Sequence, residues 1–183
     1  IQSNSSTAVS ECFFSGSVTG VNLVGGIAGS LYNGGTLSDI YCTGSAEATA
    51  AAGAAGGITG TFRSGTIRNA YACGNVTAAN AGSVAAKLEW TSGQKTLDNV
   101  YVIQSDRETA AVPNGCTIQN GAAVSKTAEE LKGLASSLGD KFTEDAASIN
   151  QGYPILNWQK GSQEVDPDQP ASDSNGWNGK TSE

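Results

Sequence analysis

The feature that most constrains this chain is an internal repeat with a period near 30 residues. Its clearest copy is GTIRNAYACGNV at 65–76, and segments of the same residue classes return at 8–18, 36–46 and 96–103. A single unit of this length cannot bury its own apolar side, whereas similar units stacked on one another can. The aromatic position recurs at intervals of 28, 30 and 30 residues, and we call its four residues the aromatic file: Phe13, Tyr41, Tyr71 and Tyr101.

A second motif, rich in glycine, repeats out of phase with the first. It reads VGGIAGSL at 24–31, AGGITGTF at 55–62 and AGSVAAKL at 81–88. Two motifs that share one period are difficult to obtain by chance, and stacking would align their like residues in columns. The predicted apolar columns are Val9, Leu37, Ile67 and Leu97, then Ile27, Ile58 and Val84, then Leu31, Phe62 and Leu88.

The alternation of side chains within each copy predicts β-strands. In the second copy, Ile40 and Cys42 would point to one side of a strand and Tyr41 to the other. The chain has 24 Gly and only 15% charged residues, which favours strands with tight turns over a helical bundle. Parallel crossovers are right-handed as a strong rule. We therefore predict an all-β fold, a right-handed parallel β-solenoid (β-helix) of about four coils of roughly 30 residues each.

Two columns of the repeat predict bends in the chain. One column carries polar side chains that can bond to local backbone and tolerate turn geometry: Glu11, Asp39, Asn69 and Asn99. The other column carries glycines, which predicts a backbone conformation hostile to a side chain: Gly16, Gly44 and Gly74. Variable residues such as 47–53 fall between the columns, as surface loops do.

The repeat weakens after Tyr101, and the segment at 117–120 resembles a shortened fifth turn because it echoes 66–69. We assign residues 1–124 to the solenoid. An open solenoid end exposes a strand edge and core side chains that need a cover. We predict that residues 125–158 form this cover, as a small C-terminal cap with one helix.

Local signals support the helix of this cap. Thr127 and Glu130 have the spacing of a capping box at its start, and Gly139 is a suitable stop. Three leucines would lie on one face of the helix: Leu131, Leu134 and Leu138. The large apolar residues of 152–158 would complete the cap. Residues 159–183 are rich in Pro and Asp, which predicts an acidic flexible linker to a further module.

Composition disfavours several classes of function. The chain has no His, so it cannot build a Ser-His-Asp or Cys-His mechanism or a histidine zinc site. A net charge of -7 would repel a phosphate backbone, so we expect no nucleic-acid partner. No run approaches the roughly 18 to 20 consecutive apolar residues of a membrane span. We expect no catalytic residue, no cofactor and no metal.

The four cysteines lack the close spacing of zinc or redox sites: Cys12, Cys42, Cys73 and Cys116. The first three occupy different columns of the repeat, which does not suit the geometry of a disulfide. We therefore predict buried or half-buried free thiols. Because the chain begins with Ile1 rather than Met, we expect it to be a piece of a longer protein.

Three further patterns match a site by letter but lack its context. Ser92 and Lys95 have the Ser-x-x-Lys spacing, but they lie in a Gly-containing loop rather than at the start of a helix. Asp39 and Asp98 could pair as in glycoside hydrolysis, although capped turns explain acidic corners without chemistry. The acids within 166–175 lack the ordered spacing of a calcium loop, and a solvated linker is the preferred interpretation.

The glycine motifs at 24–29 and 56–60, each followed by Gly-Thr-(Leu/Ile)-x-(Asp/Asn)-x-Tyr, resemble GLUG-motif repeats. Those repeats occur in large bacterial surface and secreted proteins, including the N-terminal parts of IgA-specific metallopeptidases and filamentous-haemagglutinin-like adhesins. The resemblance covers about residues 8–104, and the third copy departs from it because Ser83 and Ala86 replace glycines. The resemblance implies a β-helical, non-catalytic segment that is secreted or displayed on a bacterial cell surface.

We therefore expect a structural or adhesive segment of a multidomain protein, a rigid spacer or interaction surface rather than an enzyme. Its partners would be a host or cell-surface glycan or protein, together with further modules of the same polypeptide. An alternative is a carbohydrate-binding module whose ligand surface is the aromatic file, although stacked rings also stabilise a column structurally. A polysaccharide-active enzyme is a third hypothesis, which would need clustered acids and bases that the sequence does not provide.

Overall fold

The structure is a computed structural model that describes residues 2–3, 7–87, 93–104 and 118–160. This described part is nearly all-β. Its strands are β1 Gln2–Ser3, β2 Ala8–Phe14, β3 Ser17–Gly20, β4 Leu23–Gly25, β5 Ala28–Leu31, β6 Gly35–Cys42, β7 Ser45–Ala48, β8 Ala54–Gly56, β9 Thr59–Phe62, β10 Gly65–Ala72, β11 Val76–Thr77, β12 Asn80–Gly82, β13 Ala85–Lys87, β14 Lys95–Ile103, β15 Asn120–Lys126, β16 Phe142–Thr143 and β17 Ile155–Leu156. The helices are α1 Ala128–Lys132 and α2 Ala135–Leu138, followed by a 3-10 turn at Asn157–Gln159.

Four sheets are built from parallel strand pairs, and neighbouring strands in each sheet come from successive repeats. Their strand orders are β15-β14-β10-β6-β2, β11-β7-β3, β12-β8-β4 and β1-β5-β9-β13. A fifth, antiparallel sheet pairs β16 with β17. Like residues of successive repeats therefore lie one strand spacing apart, about 4.8 Å. Parallel sheets in this order are consistent with a β-solenoid.

The strand register confirms the predicted apolar columns. The first column pairs in the order Val9, Leu37, Ile67 and Leu97. In the second column, the Ile27 amide donates to the Ile58 carbonyl at 3.0 Å, and the Ile58 amide donates to the Val84 carbonyl at 3.1 Å. Repeats whose backbones pair in this way must place their apolar side chains on the same inner side.

These columns meet in one core between the sheets. Leu31 pairs with Phe62 in the third column, whose predicted third member, Leu88, lies outside the described residues. The predicted alternation is also confirmed, because Ile40 is buried in this core whereas Tyr41 packs in a separate cluster on the other side of β6. The buried members of the core are Ala28, Leu31, Leu37, Ile40, Cys42, Ile58, Phe62, Ile67, Ala70, Ala72, Val84, Ala85, Leu97, Val100 and Val102.

The second repeat contains four strands, β6, β7, β8 and β9. In the next repeat, residues 65–72 form one strand, β10, which bends at Asn69 without losing register. The glycine motif instead splits into two strands, β8 and β9. A Cβ at Gly56 would overlap the Thr59 carbonyl oxygen, so the reversal between these strands is too tight for a side chain.

The predicted polar corner is confirmed and has a left-handed backbone. The φ angles are 53°, 54°, 46° and 57° at Glu11, Asp39, Asn69 and Asn99. Asn and Asp tolerate this conformation better than most side chains. The Asn69 amide donates to the Asp39 carboxylate at 2.9 Å, and the Asn99 amide donates to the Asn69 side-chain oxygen at 3.0 Å. The corner side chains of Asp39, Asn69 and Asn99 therefore bond to one another from repeat to repeat.

The glycine column bends the chain for a reason different from the predicted one. Gly16, Gly44 and Gly74 do not have a positive φ. A Cβ at Gly74 would overlap the carbonyl oxygen of Gly44, and a Cβ at Gly44 would overlap that of Gly16. The constraint is therefore the close approach of stacked backbones, and it acts between repeats rather than within one.

The predicted position of the cap at the open end of the stack is wrong. Residues 127–160, which we call the C-terminal strap, lie across the outer face of the five-stranded sheet. There Leu138 and Phe142 join one apolar cluster with Tyr41 and Tyr71. The physical reason is that this face carries large aromatic rings, whose burial removes a large apolar surface from water.

Within the strap, the predicted capping box is confirmed. The Thr127 hydroxyl accepts from the Glu130 amide at 3.3 Å, and the Glu130 carboxylate accepts from the Thr127 amide at 2.8 Å. The single predicted helix is divided into α1 and α2, because α1 ends at Gly133. All three predicted leucines are buried in the cluster with Tyr41 and Tyr71: Leu131, Leu134 and Leu138.

The predicted fifth turn differs in register. Asn120 pairs with Thr96 and Gly121 with Leu97, so the paired strand begins where the echo at 117–120 ends. Gly121 has a φ of 75°, which favours glycine at this bend. The strand β15 is exposed along most of its length.

Three of the four predicted free thiols are confirmed. Cys42 is buried and free, and Cys12 and Cys73 are free and half-buried. Cys116 and Ser92 lie outside the described residues, as do residues 161–183, which carry most of the predicted linker and the acids considered for calcium.

Candidate functional site

Three rings of the aromatic file are stacked in the structure: Phe13, Tyr41 and Tyr71. The ring centroids of Phe13 and Tyr41 are 5.1 Å apart with an interplanar angle of 18°, and those of Tyr41 and Tyr71 are 5.2 Å apart with an angle of 5°. This geometry follows directly from the parallel register, which pairs Phe13 with Tyr41 and Tyr41 with Tyr71. The sequence period therefore sets the ring spacing.

The middle of the file is not an open ligand surface. Tyr41 is 1% exposed and Tyr71 is 0% exposed, because the C-terminal strap covers them. Tyr101 is half-buried in the same cluster. Phe13, at the other end, keeps 38% of its surface exposed. A ligand surface on all four rings, as the sequence alternative requires, is therefore inaccessible in this structure.

The Tyr71 hydroxyl is held by a buried polar network. It donates to the Pro154 carbonyl at 2.6 Å and accepts from the Asn150 amide at 2.7 Å. The Asn150 side-chain oxygen in turn accepts from the Thr43 hydroxyl at 3.2 Å. Because buried polar groups without partners are costly, this network ties the strap to the repeats at one register.

The Tyr41 hydroxyl has its own partner in the strap, the side chain of Gln159. The amide nitrogen of Gln159 lies 2.9 Å from the hydroxyl, and its oxygen lies 3.1 Å away. The same oxygen accepts from the Leu156 amide at 2.8 Å. The Gln159 side chain therefore caps the 3-10 turn and also hydrogen-bonds to Tyr41 of the aromatic file.

A buried carboxylate organises the strap loop itself. Asp145 accepts from the amides of Ile149, Asn150 and Gly152 at 2.9, 2.7 and 2.9 Å. It is 7% exposed, so these charge-assisted bonds lie in a low-dielectric setting. These three bonds fix the conformation of the loop that carries Asn150, the residue that contacts Tyr71.

The buried tyrosine and cysteine side chains of this region are held in their neutral forms. Burial raises the pKa of Tyr41 to about 12 and raises the pKa of Tyr71 well above its usual value. Burial likewise raises the pKa of the Cys73 thiol to about 12 and that of the Cys42 thiol further. A thiolate nucleophile is therefore disfavoured at either cysteine.

The accessible part of the file is its N-terminal end, where the strap adds a second ring. Trp158 is 53% exposed, and its ring centroid lies 5.9 Å from that of Phe13. The Trp158 indole N–H donates to the Glu11 carbonyl at 3.2 Å. The Glu11 carboxylate pairs with the Lys141 ammonium at 3.1 Å, and this contact raises the pKa of Lys141. We call these four residues the ring platform: Glu11, Phe13, Lys141 and Trp158.

Sequence reasoning found the aromatic file but not its partners in the strap. Asn150, Asp145 and Gln159 carry no periodic signal, because they contact the repeats from a segment outside the repeat. The rise in large apolar residues at 152–158 was the available signal for Trp158. In the described ranges, no cluster of three or more His, Cys, Asp or Glu residues could hold a metal ion.

No helix in the described part of the chain is long and apolar enough to cross a bilayer. No protein-family model matches the sequence, and no curated protein matches it. Among solved structures, a crystal structure of a candidate immunoglobulin A1 protease from Bacteroides ovatus is similar, with a TM-score of 0.60 and 21% sequence identity. The match covers 82% of this chain and 57% of that one. At this identity, the likeness shows the fold alone.

Proposed function

We propose that this chain is a non-catalytic segment of a secreted or cell-surface bacterial multidomain protein, related to the GLUG-motif repeats, and that it serves as a rigid spacer or interaction surface. Its architecture in this proposal is a right-handed β-solenoid of about four coils with the strap folded along one side. The observation that carries the proposal is the residue-by-residue parallel register between successive repeats.

Two further observations support a role in holding distance rather than in chemistry. The face of the aromatic file could have lined a cleft, but strap side chains pack over it. Hydrogen bonds from the strap to Tyr41 and Tyr71 hold this cover in place. The likeness to a Bacteroides ovatus protein, of which this chain spans a little over half the length, fits a segment of a larger bacterial protein.

Rigidity can be tested by pulsed electron paramagnetic resonance. Spin labels at Ala8→Cys and Asn120→Cys, in a chain whose four native cysteines are replaced by alanine, would sit on exposed positions of the first and last strands of the five-stranded sheet. Four strand spacings separate these strands, about 19 Å in total. A spacer predicts one narrow distance distribution near that value, extended by the label linkers. A broad or multi-peaked distribution would contradict the proposal.

The non-catalytic part of the proposal has a direct test. The chain is incubated with immunoglobulin A1 and with a panel of polysaccharides, and products are analysed by mass spectrometry. We expect no bond to be cleaved. Cleavage that co-purifies with the chain and is lost in the Asp39→Asn, Asp98→Asn variant would establish an enzyme and refute the spacer role.

A further inference from the structure

The end of the aromatic file differs from its middle in how its rings are stacked. Tyr41 lies between two stacked rings, those of Phe13 and Tyr71. Among rings in the described part of the chain, Phe13 is stacked by Tyr41 alone, and Trp158 leans on it at 43°. Phe13 and Trp158 therefore remain substantially exposed, at 38% and 53%.

These two rings are held in place before any ligand arrives. The indole N–H of Trp158 is anchored on the Glu11 carbonyl. Trp158 also lies two residues after Leu156, which is fully buried in the strap cluster. Phe13 is fixed by its place in β2 and by the ring of Tyr41 beneath it. A rigid exposed ring pair loses little conformational entropy on binding.

Charged and polar groups lie directly beside the rings. Glu11 and Lys141 form an ion pair whose side chains are 42% and 44% exposed. The exposed Asn157 precedes Trp158 in the chain, and its side-chain amide donates to the Asp140 carbonyl. Carboxylate, ammonium and amide groups at the rim of an aromatic surface can serve both the donors and the acceptors of a hydroxyl-rich ligand.

We propose that the ring platform is a carbohydrate-binding site, which takes the C–H face of a pyranose ring on Phe13 and Trp158 and its hydroxyls on Glu11 and Lys141. The apolar face of a sugar suits an aromatic ring, and its hydroxyls suit the flanking ion pair. A protein partner is less well matched, because stable protein interfaces bury about 800 Å² per partner, far more than two rings provide. The site goes beyond the spacer role and does not depend on it.

Titration with four soluble oligosaccharides tests the site: cellotetraose, galactotetraose, xylotetraose and chitotetraose. Each is added at millimolar concentration to the isotope-labelled chain, and chemical shifts are followed by NMR. We expect at least one sugar to shift the Trp158 indole resonance in a saturable manner. No saturable shift with any of the four would overturn the proposal.

Matched variants locate the binding. Trp158→Ala and Phe13→Ala should each weaken binding at least tenfold, whereas Phe13→Tyr, which keeps the ring and copies the other file members, should bind within about twofold. Val124→Ala removes a 48% exposed apolar side chain elsewhere and should change nothing. Circular dichroism of every variant checks that the fold is retained.

Two outcomes of the variant series would contradict the proposal. The first is sugar binding that survives both Trp158→Ala and Phe13→Ala in folded protein, which would place the ligand elsewhere. The second is self-association in sedimentation that Trp158→Ala abolishes while no sugar binds, which would assign the platform to a protein contact. Loss of binding in the folded alanine variants together with retention in Phe13→Tyr supports the site.

Discussion

The repeats and the C-terminal strap are held together by different kinds of interaction. In the repeats, each side chain packs against its equivalent one strand away, as in the column from Leu37 to Ile67. In the strap, stability depends on partners far apart in sequence, such as Asn150 and Tyr71 or Gln159 and Tyr41. One region is periodic, and the other is specified by individual contacts.

This difference predicts how each region responds to mutation. A change within a column weakens contacts to the repeats on either side but leaves the other columns in register. A change in the strap removes a group that has no equivalent elsewhere. We therefore expect the strap to be the part that can open while the repeats stay folded, which would be a local unfolding event.

The largest effect is expected from Tyr71→Ala. It deletes a ring that is 0% exposed and removes the hydroxyl that bonds to Asn150 and Pro154, so the free energy of unfolding should fall by about 3–5 kcal/mol. Urea unfolding measures this loss. Alkylation rates sharpen the comparison, because Cys73, beside the strap cluster, should react faster while Cys42, in the repeat core, should stay protected.

The control for this prediction is Tyr71→Phe, which keeps the ring and removes only the hydroxyl. It should cost about 1–2 kcal/mol. If Tyr71→Ala lowered stability by no more than Tyr71→Phe, or if Cys42 and Cys73 became reactive together, the strap and the repeats would unfold as one unit and the distinction between them would be wrong.

A smaller loss is expected when the strap loop is disturbed from within. Asp145→Asn replaces a carboxylate oxygen that accepts from backbone amides, and the free energy of unfolding should fall by about 2–3 kcal/mol. The exposed neighbour Asp140→Asn is the matched control and should be nearly neutral. Equal stability of the two variants would show that the Asp145 loop does not hold the strap.

In the repeats, Asn69 separates backbone conformation from side-chain bonding. Asn69→Ala loses the ladder bonds and also strains a residue with a φ of 46°, at a cost of about 2 kcal/mol. Asn69→Gly relieves the strain but still loses the bonds, at about 1 kcal/mol. Thermal unfolding of both variants measures the two terms, and a glycine variant less stable than the alanine variant would exclude backbone strain at this corner.

The smallest effect at neutral pH is expected from Tyr41→Phe, about 1 kcal/mol, but the variant should change the response to alkali. The pKa of Tyr41 is raised to about 12 in the fold from 10.0, so its contribution is complete below pH 10 and is lost as the pH rises towards 12. Unfolding followed by circular dichroism between pH 9 and 12 should therefore show a shallower decline in the variant. An identical decline would mean that Tyr41 is not linked to alkaline unfolding.

The repeats could be predicted well from sequence because the period places equivalent residues together. The alternation of Ile40 and Tyr41 and the polar corner at Asn69 were both found in this way. The glycine column shows the limit of this prediction. The sequence identified Gly44 and Gly74 but not the close approach of backbones between repeats, which leaves no room for a side chain there. This close approach depends on the distance between two stacked turns, so the sequence of one turn alone does not reveal it.

The sequence alone therefore determined the columns, the ring spacing of the aromatic file and the capping box at Thr127, because each follows from neighbours along the chain or from the period. Only the tertiary structure decided that the strap lies along the side of the stack, burying Tyr41 and Tyr71 and leaving Phe13 exposed beside Trp158. The physical reason is that the strap is placed by the total apolar and polar burial it achieves over many distant residues. No local sequence pattern specifies this total burial.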